Sequence, residues 1–213
     1  MIKAVLFDMD GTVFDTERIY RKCWFGAAEA VGFHEMEDLL ARIFGVSERD
    51  IGTYVYERYG VDFPYEKMLA LRAGMIADII EKEGVPFKDG VPEVFDRLKS
   101  RGIQSALVTS APRFRVEDFL NRTNLWSAFS CVVTGEQVKQ SKPEPDIFLL
   151  AAKELGLEPH ECMVAEDSRF GVMAGHRAGM RVAMIPDLQD VNDEVMPFIS
   201  DLLSSLDELP DRI

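Results

Sequence analysis

Two aspartates separated by one residue, Asp8 and Asp10, follow directly on an apolar run from Ile2 to Phe7 and lead into Gly11 and Thr12. An extended chain alternates its side chains between faces, so Asp8 and Asp10 point one way and Met9 the other. Polar groups also end or follow later apolar segments: Thr109-Ser110 after Ile103–Val108, Lys142 in Ser141-Lys142-Pro143, and Glu166-Asp167 after Cys162–Ala165. If those segments share one sheet, four carboxylates converge beside two hydroxyls and an ammonium. Like charges at that density repel, and a hard divalent cation with oxygen ligands relieves them. Magnesium suits such ligands and commonly works beside a phosphate. The hydroxyls and Lys142 would supply the remaining phosphate contacts. Taken singly, these features also read as a tight turn, a helix cap, a solvated loop charge and acid at a helix N-terminus. Their succession at four strand ends is what makes them a candidate site.

The elements that must position these groups follow from periodicity. Ile2–Phe7 is a continuous apolar, β-favouring run, as expected of a strand buried on both faces. Strand signals then vanish. Ile19, Cys23, Ala27, Ala30 and Val31 have helical spacing; a second helix is predicted from Ser47, with Asp50 closing a capping-box variant; Pro64 opens a third through Met68, Leu71, Met75, Ile79 and Ile80. From Pro92 the pattern alternates: helix to Ser100, strand 103–108, helix 113–121, strand 130–133, helix from Glu144-Pro145, strand 162–165, helix 168–178 and strand 182–185. Repeated β-then-α units imply an α/β fold, a doubly wound parallel sheet with helices on both faces. Ligands of such sheets lie beyond the carboxyl ends of the strands. The expected organisation is a core of residues 1–14 and 87–213, interrupted by a helical insertion over 15–86.

Composition limits the partners. The 213 residues are 47% hydrophobic and 29% charged, ordinary for a globular chain. The formal charge of −13 argues against nucleic acid and anionic membrane, both of which need a positive field. Eight of the acids and a single base, Arg212, fall in residues 187–213, so much of that charge belongs to a C-terminal segment with no catalytic motif. Cys23, Cys131 and Cys162 form no CxxC pair, and reduced thiols are expected. No apolar run approaches a signal sequence or a membrane span, which points to a cytoplasmic protein.

Phe7-Asp8-Met9-Asp10-Gly11-Thr12, Val108-Thr109-Ser110, Ser141-Lys142-Pro143 and Ala165-Glu166-Asp167-Ser168 resemble, in order, the four motifs of the haloacid dehalogenase-like hydrolase superfamily. The insertion, with Gly-Val-Ser at 45–47, and the SKPEPDIF stretch at 141–148 are similar to its β-phosphoglucomutase-like branch, whose insertion is a helical cap. The resemblance implies a Rossmann-like core in which Asp8 is the nucleophile that forms an aspartyl-phosphate. Asp10 would be the acid that protonates the leaving alcohol and the base that then activates water. Magnesium would be held by Asp8, the Asp10 carbonyl and Asp167, with Glu166 bound directly or through water. Thr109 and Ser110 would bind phosphate, and Lys142 would offset the charge on nucleophile and phosphoryl group. An aspartate at position 10 favours phosphoryl transfer over dehalogenation, because an alkoxide leaving group needs a proton.

Within that branch the mutases carry histidine where this chain has Tyr20, and arginine directly after Gly-Val-Ser, where it has Glu48 followed by Arg49. The expectation is therefore a phosphatase acting as a monomer on a small phosphorylated metabolite, a sugar or polyol phosphate. Arg49 and Arg72 are candidates for gripping it, with Glu17 and Tyr20 lining the cleft. The alternative is a phosphosugar mutase. A receiver-like phospho-acceptor is more remote, since receiver domains are shorter, lack a cap, and carry the acidic pair and the acceptor on different strands.

Overall fold

The computed structural model describes residues 1–43, 48–188 and 191–213, leaving the side chains of residues 48–50 outside the described set. The apolar run before Asp8 forms β1 (Ala4–Phe7), all four residues of which are buried. It pairs in parallel with β2 (Gln104–Thr109) on one side and β4 (Cys162–Glu166) on the other. β3 (Cys131–Thr134) extends the β2 edge; β5 (Arg181–Met184) and β6 (Asp201–Leu202) extend the β4 edge, giving a parallel sheet ordered β3-β2-β1-β4-β5-β6. In this order the chain winds outward from β1 in one direction and from β4 in the other. The crevice between β1 and β4 is therefore the topological switch point, where such sheets bind ligands.

Alternation along the strands supplies two cores. Val5 and Phe7 of β1, Leu107 of β2, and Met163 and Ala165 of β4 pack with Phe95, Phe119 and Leu206. These partners come from α5 (Val91–Ser100), α6 (Arg113–Thr123) and the 3-10 segment Leu206–Arg212. On the other face Ala4, Leu6, Ala106, Val108 and Val164 pack with Ile147, Phe148 and Val172 of α7 (Asp146–Leu155) and α8 (Arg169–Arg177). The acidic C-terminal segment is clasped by α5: Arg97 donates to the Asp207 carbonyl at 2.6 Å and Arg101 to the Ile213 carbonyl at 2.7 Å.

The insertion after β1 consists of α1 (Glu17–Ala30), α2 (Met36–Ile43), α3 (Glu48–Tyr59) and α4 (Tyr65–Glu83). α2 was not among the expected elements. Its Met36, Leu39, Leu40 and Ile43 have the i, i+3, i+4, i+7 spacing of a helix face, and all four are buried. Eight residues are too few to hold a helix in isolation, so packing in the insertion's own core with Trp24, Val55, Tyr65 and Met68 stabilises it. The short β6 was also unforeseen. The expected helix start at Ser47, and the Gly-Val-Ser stretch, lie outside the described residues. Cys23, Cys131 and Cys162 are free thiols. No described helix is long and apolar enough to cross a membrane.

Leu107 is fully buried at the centre of the sheet. Leu107→Ala is expected to cost about 3 kcal/mol and lower Tm by roughly 6–12 °C in a thermal melt.

Candidate active site

The parallel register sets the ends of three strands level. Phe7 lies opposite Leu107 of β2 and Ala165 of β4, and the Asp8 N–H continues the ladder by donating to the Ala165 carbonyl at 3.0 Å. Neighbouring strands stand about 4.8 Å apart, so Asp8, Thr109-Ser110 and Glu166-Asp167 emerge side by side. The chain turns at once after Asp10: Gly11 N–H donates to the Phe14 carbonyl at 2.8 Å, and Val13 and Phe14 N–H both donate to the Met9 carbonyl. Gly11 has φ +83°, and a β-carbon there would overlap the Asp167 carboxylate, so the turn requires glycine on both counts. Met9 is fully buried, while Asp8 and Asp10 line the cleft together with Thr109, Ser110, Lys142 and Asp167.

Lys142, just before α7, joins two carboxylates. Its Nζ donates to Asp8 Oδ1 at 2.5 Å and to Glu166 Oε1 at 2.7 Å, with the Phe148 ring 5.1 Å away. The other oxygen of Glu166 accepts from the backbone N–H groups of Asp167 (3.0 Å) and Ser168 (2.8 Å) and from the Ser168 hydroxyl (2.9 Å). Glu166 is thus engaged by four donors, and it anchors Lys142 and the turn that carries Asp167. The Ser168 hydroxyl in turn accepts from Gly171 N–H at 3.1 Å, capping α8.

Asp10 is held differently. Its Oδ1 accepts from the Thr16 hydroxyl at 2.6 Å and from the Tyr20 hydroxyl at 2.8 Å. Thr16 stands at the N-cap of α1 but makes no side-chain cap bond there, because its hydroxyl is turned to Asp10. Tyr20 belongs to the insertion, so this pair of bonds joins the helical layer to the strand-end loop. The Tyr20 ring lies 5.2 Å from the Arg72 guanidinium and 5.6 Å from that of Arg115, and Arg72 also lies 4.5 Å from the Trp24 ring.

All of the expected site residues whose side chains are described come together, with Glu17, Tyr20 and Arg72 lining the insertion side of a cavity of about 150 Å³. Glu166 stands behind the cleft rather than in its lining. The side chain of Arg49 lies outside the described residues. Thr16, Trp24 and Arg115 are additional members that sequence patterns do not single out. A hydroxyl before a helix reads as a cap, and Arg115 has no distinguishing spacing on α6.

The electrostatics follow from burial. Burial raises the Asp8 carboxyl to about 7; Lys142 opposes the rise and Glu166 adds to it. Burial, then Glu166 and Asp8, push Asp167 well above the usual carboxylate range. Burial also works against the charge on Lys142, but Asp8 and Glu166 outweigh it and its pKa rises. Across the cleft Glu17 is raised to about 8 by burial and by Asp10 and Asp8. The metal donors expected from the family resemblance, the Asp8 and Asp167 carboxylates and the Asp10 carbonyl, are all oxygen. Two of them are buried, and Asp8 raises the cost of charging Asp167. A hard divalent cation fits that environment.

The family model described as haloacid dehalogenase-like hydrolase matches residues 5–185. The chain is 36% identical over 179 residues to the phosphorylated carbohydrates phosphatase of Thermotoga maritima, covering 84% of this chain and 82% of that one. It is 34% identical over 185 residues to the fructose-1-phosphate phosphatase of Escherichia coli (strain K12), covering 83% and 93%. Among solved structures, a Thermotoga maritima protein described as a candidate β-phosphoglucomutase superposes with a TM-score of 0.77 at 30% identity, covering 99% and 98%.

A β-carbon on Gly171 would overlap the Glu166 carboxylate, whereas one on Gly74, in the middle of α4, would meet open space. Gly171→Ala is therefore expected to cost about 1–3 kcal/mol in a thermal melt. Gly74→Ala is the matched control and should stabilise by about 0.5–1 kcal/mol.

Proposed function

The chain belongs to the haloacid dehalogenase-like hydrolase family, in its β-phosphoglucomutase-like branch, and from that premise we propose that it is a magnesium-dependent phosphatase of sugar or polyol phosphates working through an aspartyl-phosphate on Asp8. As a family member with phosphatase relatives, it is a phosphate-monoester hydrolase acting on small phosphorylated metabolites. The observation that carries the finer reading is the unequal treatment of two neighbouring carboxylates. Asp8 is gripped by a buried ammonium, while Asp10 accepts, among the described residues, from two neutral hydroxyls. Environments that separate two carboxylates in this way divide the roles of nucleophile and acid–base between them.

In this reading Asp8 attacks phosphorus, and Lys142 offsets the repulsion between its carboxylate and the phosphoryl oxygens. Thr109 and the Ser110 amide hold those oxygens in line. Thr16 and Tyr20 occupy one oxygen of Asp10, leaving the other to give a proton to the leaving alkoxide and afterwards to take one from water. Asp8, the Asp10 carbonyl and Asp167 would hold magnesium, which would supply neutralisation of charge on the transferring group. Residues 15–86 act as a cap that closes over the cleft and excludes bulk water. Glu17 and Arg72 face the leaving group, and a single chain completes the site. A phosphosugar mutase would use the same nucleophile but return the phosphoryl group to sugar. Tyr20, bonded to Asp10 where the mutases carry histidine, favours hydrolysis.

Purified protein with magnesium is expected to release phosphate from fructose 1-phosphate or a hexitol phosphate and to stop when EDTA removes the metal. Interconversion of sugar phosphates without release would establish the mutase instead. Asp8→Asn should reduce phosphate release to background. Asp10→Asn should slow alkyl phosphates by ~10²–10⁴-fold and aryl phosphates far less, because an acidic leaving group needs no proton. Equal losses on both substrates would remove Asp10 from that role.

A further inference from the structure

The two crossings between insertion and sheet are tied to each other and to the core by groups that the phosphatase chemistry does not use. Asp15 N–H donates to the Pro86 carbonyl at 3.0 Å and Lys88 N–H to the Val13 carbonyl at 3.1 Å, with Phe14 and Phe87 paired antiparallel between them. The crossings therefore form one short ribbon. The Lys88 side chain links this ribbon to the loop after β5, its Nζ lying 2.8 Å from Asp187 Oδ1 and 3.8 Å from Asp15 Oδ1. The Asp187 side chain is buried, 1% exposed, and that of Lys88 is half-buried at 18%. Asp187 Oδ2 and Asp15 Oδ1 are themselves buried and have no hydrogen-bond partner among the described residues. The Lys88 ammonium compensates Asp187, and for Asp15 it shares that role with Arg18, whose Nε is also 3.8 Å from Oδ1. The loop carrying Asp187 is fastened to the site, since Ile185 N–H donates to the Glu166 carbonyl at 2.8 Å.

Resting on the phosphatase reading, we propose that Lys88 is a positioning residue whose ion pair with Asp187 sets the angle at which the ribbon leaves the sheet. That angle decides where the cap brings Tyr20 and Glu17 against Asp10. A buried ion pair contributes little net stability but has a narrow geometry, and removing one partner leaves a buried charge uncompensated. Asp187 lies close enough to add to the negative field on Asp167 and Glu17, so a change at Lys88 reaches the cleft from both sides. A cavity of about 240 Å³ lined by Asp15, Arg18, Phe87, Lys88, Ser204 and Ser205 flanks the ribbon and gives it room to shift once the pair is broken.

The test compares Lys88→Met, Lys88→Arg and Asp187→Asn on fructose 1-phosphate and on acetyl phosphate, whose small acidic leaving group needs neither cap contact nor protonation. Lys88→Met and Asp187→Asn are expected to lower kcat/KM for the sugar phosphate on the order of 10–100-fold while changing acetyl phosphate less than about threefold. Lys88→Arg, which keeps the charge, should recover most of the sugar phosphate activity. Hydrogen exchange at the Asp15 and Lys88 amides should quicken in the two neutralised variants, with Tm recorded for each. Equal losses on both substrates, no loss on either, or unchanged exchange would overturn the proposal. If Lys88→Met fails to fold, Asp187→Asn decides by the same criteria. Wild-type protein inert on both substrates would instead remove the phosphatase reading, and the exchange measurement would still decide for or against the latch.

Discussion

The site depends on a concentration of buried negative charge that one ammonium partly compensates. Asp8, Glu166 and Asp167 lie at adjacent strand ends, and in so dry a position Glu166 raises the cost of charging Asp8, and both raise that of charging Asp167. Lys142 spans Asp8 and Glu166, and Glu166 is itself fastened by the amides of the turn that leads into α8. Much of the surrounding structure serves that arrangement. Gly11 lets the first loop pass close to Asp167, Gly171 leaves space for Glu166, and Ser168 starts α8 where the turn must end. The acids that look like the chemistry are thus also a structural problem, for which one lysine is a partial remedy and a divalent cation the natural complement.

The second carboxylate of the first loop belongs to a different system. Asp10 bonds to hydroxyls at and beyond the entry to α1, so its orientation is tied to the position of the helical layer rather than to the sheet. In the proposed mechanism, a closing cap would then assemble the acid–base group and exclude water in one movement. The charge of −13 has a corresponding division. Part of it is the buried cluster at the strand ends. Another part is the C-terminal segment, where Arg97 and Arg101 of α5 and Arg181 of β5 hold the chain in place.

Legibility in the sequence varied with the range of the interaction. The long strands and helices follow from local periodicity, since Ile2–Phe7 and Cys162–Ala165 are apolar runs bounded by polar residues. α2 has the same kind of signal in Met36, Leu39, Leu40 and Ile43, yet so short a segment becomes a helix only by packing on α1 and the rest of the insertion core. β6 is two residues long and owes its existence to the edge of β5. Thr16 shows how one residue type serves two purposes: its hydroxyl reads as a helix cap and is spent on a carboxylate six residues earlier.

By itself the sequence determined which groups reach the carboxyl end of the sheet, because strand alternation and the polar residues ending each apolar run are properties of a few neighbouring residues. From these came the doubly wound fold and the gathering of Asp8, Asp10, Thr109, Ser110 and Lys142 at one end of it; their proposed roles came from the family resemblance. Only the tertiary structure decided how those groups divide among partners. It put Lys142 between Asp8 and Glu166, Tyr20 on Asp10, Arg115 beside Tyr20, and Lys88 on Asp187. Each of the last three joins the insertion or its linkers to the core across a wide gap in the chain or between separate layers. Such pairings depend on the angle between two packed bodies, and no local pattern of residues encodes that angle.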